Sequence, residues 1–209
     1  MENVNLFKHN SVKIINNNLN IYIDPFRIDV VSNDADIIFI THSHYDHFSI
    51  DDIMNIKKDT TKIVSTKDTY KEIKNYFKDE DIIIVEPNKS YNILGINFST
   101  VRAYNVNKEY HPIENDWVGY ILNIDEKKYY IMGDTDVNED NSNIECDVLF
   151  IPIGGKFTMD YKEAADYTNS INPSVVIPTH YGLIVGDVDL GEKFKELINF
   201  NIECELYIK

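Results

Sequence analysis

A cluster of side chains able to bind metal at residues 41–48 constrains this chain more than any other feature. The segment reads Thr-His-Ser-His-Tyr-Asp-His-Phe and holds three of the six histidines of the chain. It follows residues 36–40, an apolar run typical of a buried strand. Side chains two positions apart in an extended segment point the same way, so His42 and His44 can bind one ion together. A polar surface loop is the alternative, and this crowding of histidines disfavours it.

The same segment offers ligands for a second ion. After His44 the chain must turn, which leaves Asp46 and His47 to reach an ion beside the first. Imidazole and carboxylate groups suit zinc, iron, manganese and nickel, so the ligand types do not name the metal. We expect one or two divalent ions as the cofactor, with zinc as the first choice and manganese, iron or nickel as alternatives.

Two later segments also place a potential ligand directly after a strand. Residues 130–136 read Tyr-Ile-Met-Gly-Asp-Thr-Asp, and residues 175–182 read Val-Val-Ile-Pro-Thr-His-Tyr-Gly. Together with the His-x-His-x-Asp-His segment, they resemble the metallo-β-lactamase-fold hydrolases. The nearer resemblance is to the UlaG-like metal-dependent hydrolases, the branch that includes the ascorbate-6-phosphate lactonase. That branch has close counterparts of residues 152–159, and the similarity extends over nearly the whole chain.

The resemblance implies a set of metal ligands. Asp134 would bridge two ions, and Asp24 would support the histidine loop by hydrogen bonding, although an Asp-Pro turn explains Asp24 equally well. The other ligands divide between the two ions: His42 and His44 bind the first, and Asp46, His47 and His180 bind the second.

The resemblance also implies a reaction. Two metal ions about 3.5–4 Å apart lower the pKa of a bridging water and polarise a substrate oxygen. Hydrolysis by a metal-bound hydroxide follows, with Asp134 and Asp46 as the catalytic carboxylates and Asp46 able to steer a proton toward the leaving group. The expected substrate is a small molecule, anionic or neutral, such as a lactone or a phosphodiester. The sequence assigns no substrate-binding residues.

The sequence departs from the family pattern at the third ligand of the first ion. Relatives place a histidine after a strand near residues 101–103, whereas this chain has Asn105 at the matching position. An amide oxygen is a weak ligand for a transition metal. His111 can replace the missing imidazole only if the loop folds back, so the sequence slightly favours a weak first site near Asn105. Both residues are candidates for the third ligand.

The charge of the chain bears on the alternatives to a small-molecule hydrolase. The formal net charge is −15, from 35 acidic and 20 basic residues, and such a field repels nucleic-acid phosphates. A nuclease-type phosphodiesterase is therefore the weaker alternative. A metal-binding or regulatory protein of the same fold without turnover is the other alternative, and Asn105 is the feature that supports it.

The strand and helix pattern predicts a single α/β domain over residues 1–209. Helices are expected near residues 49–57, 66–77, 161–170 and 191–200, and a last strand at 203–208. This order allows several α/β folds, and the resemblance selects the αββα sandwich of the metallo-β-lactamase type.

Location and partners follow from what the sequence lacks. No apolar stretch approaches the length of a membrane span, and residues 1–5 lack the basic and apolar segments of a secretion signal. We therefore expect a cytoplasmic enzyme with a small-molecule substrate and without a membrane or nucleic-acid partner. The sequence does not determine the oligomeric state. His9, Cys146 and Cys204 are expected to have no functional role.

Overall fold

The chain is divided into two compact units, each built on its own mixed β-sheet. The computed structural model describes residues 1–208, and the units are Met1–Glu86 and Pro87–Lys209. They are called the N-terminal and C-terminal units below. Among the described residues, no helix is long and apolar enough to cross a membrane.

The N-terminal unit carries a sheet whose strands follow one another in sequence order. The first three strands are antiparallel, and the third to the sixth are parallel. Two helices accompany the sheet. The elements are β1 (Val4–Leu6), β2 (Val12–Asn16), β3 (Leu19–Ile23), β4 (Ala35–Phe39), α1 (Ile50–Ile56), β5 (Lys57–Ser65), α2 (Tyr70–Ile73) and β6 (Ile82–Ile84).

Helix α1 begins where the sequence predicts a helix start. The side chain of Ser49 accepts a hydrogen bond from the backbone N–H of Asp52, and acidic residues occupy the first turn. Ile53 and Ile56 are fully buried in a core that includes Ile38 of β4. Helix α1 packs on this core and connects β4 to the parallel strand β5. The segment 41–48 lies between the carboxyl end of β4 and the start of α1.

The C-terminal unit has a second mixed sheet, with the strand order β13-β12-β11-β10-β9-β8-β7. The strands from β7 to β10 are antiparallel, and those from β10 to β13 are parallel. The elements within its described residues are β7 (Ser90–Ile93), β8 (Ile96–Arg102), β9 (Val118–Ile124), β10 (Lys127–Ile131), β11 (Val148–Pro152), α3 (Tyr161–Ile171), β12 (Val175–Thr179), α4 (Leu190–Lys195) and β13 (Glu203–Cys204).

Several predicted elements are shorter in the structure than in the sequence interpretation. The helix expected at 66–77 is a 3-10 turn followed by the single turn of α2. At its start, the Thr66 hydroxyl donates to the Asp68 carboxylate and makes no capping bond to the backbone. The helix expected at 191–200 ends at Lys195, and the strand expected at 203–208 ends at Cys204. Strand β1 was not predicted.

Strand direction places the candidate residues of each unit at one edge of its sheet. In the N-terminal unit, β3 and β4 are parallel, so Asp24 and residues 41–48 follow them at the same edge. Because β2 is antiparallel to β3, the residues that precede Val12 lie at this edge too. In the C-terminal unit, β8, β10 and β12 share one direction. The loops that follow these three strands therefore lie at a common edge.

Candidate metal centre

In the N-terminal unit, His42 and His44 face one another with ring nitrogens close together. His42 Nε2 lies 3.1 Å from His44 Nδ1. Two nitrogen ligands on one tetrahedral ion, with bonds of about 2.0–2.1 Å, are roughly 3.3 Å apart. The Thr41 hydroxyl lies 2.9 Å from the other ring nitrogen of His42 and fixes that ring. The pair therefore fits the shared ion that its spacing predicts.

His47 is held by Asp24, as expected for a carboxylate that supports a metal ligand. His47 Nδ1 donates to Asp24 Oδ2 at 2.8 Å, and both side chains are fully buried. Asp24 also accepts from the backbone N–H of Thr41 at 2.8 Å and from its hydroxyl at 2.7 Å. A carboxylate on one ring nitrogen orients the imidazole and directs the other nitrogen toward a metal. Asp24 thus does more than form a turn.

Asp46 contacts a residue to which the sequence assigned no role. His9 Nε2 donates to Asp46 Oδ2 at 3.1 Å, and the His9 side chain is fully buried. The available signal was the hairpin of β2 and β3, in which Val12 pairs with Ile23. Residues just before Val12 must then lie beside the segment that follows Ile23. Sequence reasoning missed His9 because this inference needs the register as well as the strands.

In the C-terminal unit, one oxygen of Asp134 lies beside two imidazoles. Asp134 Oδ2 is 3.2 Å from His111 Nε2 and 2.9 Å from His180 Nε2. All three residues are at most 3% exposed. Both separations resemble those of neighbouring ligands on one ion, and an oxygen between two imidazoles suits a carboxylate shared by two ions. The chemistry of this set fits divalent transition metals.

The loop after β8 brings His111 to Asp134 and keeps Asn105 beside His111. The backbone N–H of Asn105 donates to the His111 carbonyl at 2.9 Å, so the loop folds back on itself. The Asn105 amide nitrogen donates to the carbonyls of Tyr110 at 2.9 Å and Phe157 at 2.7 Å. The sequence favoured a weak site near Asn105 because His111 would require the loop to fold back. The loop does fold back, so this reason no longer applies, and the choice between Asn105 and His111 stays a prediction.

Four buried residues of these clusters have left-handed backbone conformations. The φ angles are 60° at His9, 45° at Asp24, 58° at His111 and 58° at His180. Positive φ is uncommon outside glycine, although His and Asp tolerate it better than most residues. Strained backbone that persists in a buried segment is typical of functional sites. Its occurrence at four buried residues of these clusters is consistent with a binding role.

Gly154 allows the backbone to approach His180 closely. A Cβ built at Gly154 would lie 2.4 Å from the His180 carbonyl oxygen and 2.7 Å from Cγ1 of Val185. The parallel register pairs Pro152 with Thr179, which sets Gly154 beside the residue after β12. Glycine is therefore required here, within the segment 152–159 that resembles the UlaG-like hydrolases.

A comparison with known families identifies the chain. The model of the β-lactamase superfamily domain matches residues 3–180. The chain belongs to the β-lactamase superfamily. The matched range includes all the candidate ligands, from the histidine loop to His180.

Individual relatives agree with this assignment. The UPF0173 metal-dependent hydrolase TK0141 of Thermococcus kodakarensis is 31% identical over an alignment of 206 positions, which covers 91% of this chain and 89% of the relative. The UPF0173 metal-dependent hydrolase of Thermococcus onnurineus is 32% identical over an alignment of 179 positions, which covers 81% of this chain and 77% of the relative. The predicted class of enzyme, a metal-dependent hydrolase, is confirmed at this level.

Solved structures confirm the predicted fold. A crystal structure from Parabacteroides distasonis, of a protein proposed to be a metal-dependent hydrolase, has a TM-score of 0.85 at 26% identity and covers 99% of this chain and 93% of its own. Igni18, a metallo hydrolase from Ignicoccus hospitalis, has a TM-score of 0.75 at 21% identity, and the match covers 97% of this chain and 93% of Igni18. The metallo-β-lactamase type of α/β fold is thus established.

Proposed function

We propose that this superfamily member hydrolyses a small lactone or phosphodiester with the help of one or two divalent ions, zinc being the first candidate. The observation that carries the proposal is the position of Asp134 Oδ2 within 3.2 Å of two imidazole nitrogens. The family pattern supplies the pairing of this cluster with the histidine loop. The proposed ligands are His42, His44 and His111 for the first ion, Asp46, His47 and His180 for the second, and Asp134 for both.

Different residues would orient the metal ligands and assist proton transfer. Asp24 orients His47, and Thr41 orients His42, so that the ligand atoms need little rearrangement on binding. When bound, a pair of such ions lowers the pKa of a water and polarises a substrate oxygen. Asp46 would act first as a ligand of the second ion, and the resemblance also assigns it the steering of a proton toward the leaving group.

The position of His111 favours turnover over a purely regulatory role. The alternative without turnover rested on the missing third imidazole at Asn105. His111 Nε2 lies 3.2 Å from Asp134 and offers that imidazole from the same loop. A complete ligand set supports a hydrolase whose first site binds metal firmly.

Charge supports a small substrate over a nucleic acid. The net charge of −15 disfavours a polyanionic ligand, whereas a single phosphate or carboxylate can still be attracted by bound cations. We further propose that the chain belongs to the UlaG-like branch and acts in the cytoplasm. Water attacks the carbonyl carbon of a lactone or the phosphorus of a phosphodiester and cleaves an ester bond in each case, so one site suits either class.

Chelation and a single substitution test the proposal together. Removal of metal should abolish hydrolysis of a responsive member of a lactone and phosphodiester panel, and added zinc should restore it. Asp134→Ala should lower kcat by at least about 100-fold, because removal of a ligand costs no less than removal of a group that supports one. Steady-state kinetics, with metal content measured on the same samples, provide the readout.

The control variant is Glu139→Ala, which removes an exposed carboxylate from the same stretch of chain. It should keep wild-type metal content and activity, and circular dichroism should show that both variants are folded at ambient temperature. Turnover that persists in metal-free protein would contradict the proposed mechanism.

A further inference from the structure

We propose that His9 is a positioning residue for Asp46, which it holds in the orientation of a metal ligand by donating its Nε2–H to Oδ2. The inference rests on the proposed function, in which Asp46 binds the second ion. It gives a role to the loop between β1 and β2, outside the segments that carry the family motif.

The contact between His9 and Asp46 is shielded from water. The nitrogen and oxygen are 3.1 Å apart, the His9 side chain is fully buried, and the Asp46 side chain is 11% exposed. The His9 ring also packs edge-on against two rings, with centroid separations of 6.3 Å to Phe26 and 5.9 Å to His47. A hydrogen bond to a charged group is strong in such surroundings, and two ring contacts keep the donor from rotating away.

The loop is built to present this side chain. The backbone N–H of Phe7 donates to the carbonyl of Ser11 at 2.9 Å, and the backbone N–H of Ser11 donates to the carbonyl of Lys8 at 2.8 Å. These bonds close a tight loop in which His9 takes a φ of 60°. A left-handed conformation at a buried histidine is held in place by its surroundings and points to a functional constraint.

The neighbouring residue acts on the other carboxylate of the site. Asn10 Nδ2 donates to Asp24 Oδ2 at 2.9 Å, the same oxygen that accepts from His47. Two consecutive side chains therefore fix two carboxylates, one proposed as a ligand and one that supports a ligand. This double contact distinguishes the loop from a turn that merely connects two strands.

A positioning role accounts for His9 better than a role as an additional ligand. The proposed second site already has Asp46, His47, His180 and the shared Asp134. With these four ligands, a five-coordinate ion keeps one position for water or substrate, and a fifth protein ligand would fill it. Groups that orient ligands commonly change metal affinity by about 10–100-fold when they are removed.

Two substitutions at position 9 separate the hydrogen bond from the backbone conformation. His9→Asn tolerates the left-handed conformation but is too short to reach Asp46, so it should weaken binding of one of two zinc ions by about 10–100-fold. His9→Gln retains an N–H donor at a similar distance and should bind both ions nearly as tightly as wild type. Lys8→Ala, an exposed neighbour, is the matched control. Chelator competition with zinc measures both affinities, and apo-protein melting measures stability.

The outcomes discriminate between the possible roles. Wild-type affinities in His9→Asn, with or without a lower melting temperature, would overturn the proposal. Equal losses in His9→Asn and His9→Gln would mean that His9 is itself a ligand, which also overturns it. A wild-type protein that binds no zinc would instead reject the proposed function.

A measurement on the unmodified protein removes any dependence on how the variants fold. Nitrogen-15 NMR of the histidine rings in the zinc-loaded protein should show that His9 Nε2 still carries its proton. A His9 Nε2 without a proton and with the shift of a metal-bound nitrogen would overturn the positioning role.

Discussion

At the scale of single residues, the loop from Asn105 to His111 bears on which residue would be the third ligand of the first ion. By the family resemblance, Asn105 stands where relatives have a histidine. Its amide nitrogen donates hydrogen bonds to the carbonyls of Tyr110 and Phe157. These bonds fold the loop so that His111 lies 3.2 Å from Asp134. The sequence supplied both candidates, but the choice depends on six residues of loop geometry that no local pattern specifies.

We therefore predict that His111→Ala lowers the metal content toward one ion per chain. The physical reason is the loss of one of three imidazoles that would hold the first ion, which leaves His42 and His44. Metal analysis after dialysis against a fixed low zinc concentration measures the effect, with Glu109→Ala as the control because it changes an exposed residue of the same loop. Retention of two tightly bound ions by His111→Ala would argue for a first site that does not use this residue.

At the scale of elements, strands were predicted better than helix ends. Buried strands such as β4 and β11 are largely runs of apolar residues, and such runs can be recognised from the local sequence. Helix ends depend on individual hydrogen bonds. Ser49 makes the capping bond that its position predicts, whereas Thr66 binds Asp68 and leaves the backbone uncapped. Sequence alone cannot separate these two cases, because either hydroxyl has an acidic partner nearby.

The capping box of α3 gives a prediction at this scale. The Asp160 side chain accepts hydrogen bonds from the backbone N–H groups of Lys162 and Glu163, and the Glu163 side chain accepts one from the backbone N–H of Asp160. Asp160→Ala should lower the free energy of unfolding by about 1 kcal/mol, because it leaves helix N–H groups without acceptors. Urea unfolding monitored by circular dichroism measures the change. The exposed Asp166→Ala on the same helix should have less effect, and equal losses would show that charge rather than capping is responsible.

At the scale of the whole molecule, the sequence proposed residues that would carry the chemistry but did not show how they assemble. Each predicted ligand follows a strand, and the strand directions explain why the ligands within a unit share an edge. The assembly of ligands from distant segments was inferred from the family resemblance, and the contact of His9 with Asp46 was missed because it depends on hairpin register. The single domain over residues 1–209 stays a prediction. The superfamily match over residues 3–180, which extends across both units, supports it.

The proposed function requires the histidine loop and the Asp134 cluster to bind the same metal centre, as the family pattern implies. Anomalous diffraction from crystals of the zinc-loaded protein tests it directly by locating the ions. We predict ions within about 2.0–2.2 Å of ligand atoms from both groups, with Asp134 on an ion that also contacts the histidine loop. Ions bound elsewhere, or Asp134 and His180 remote from His42 and His44, would contradict the claim.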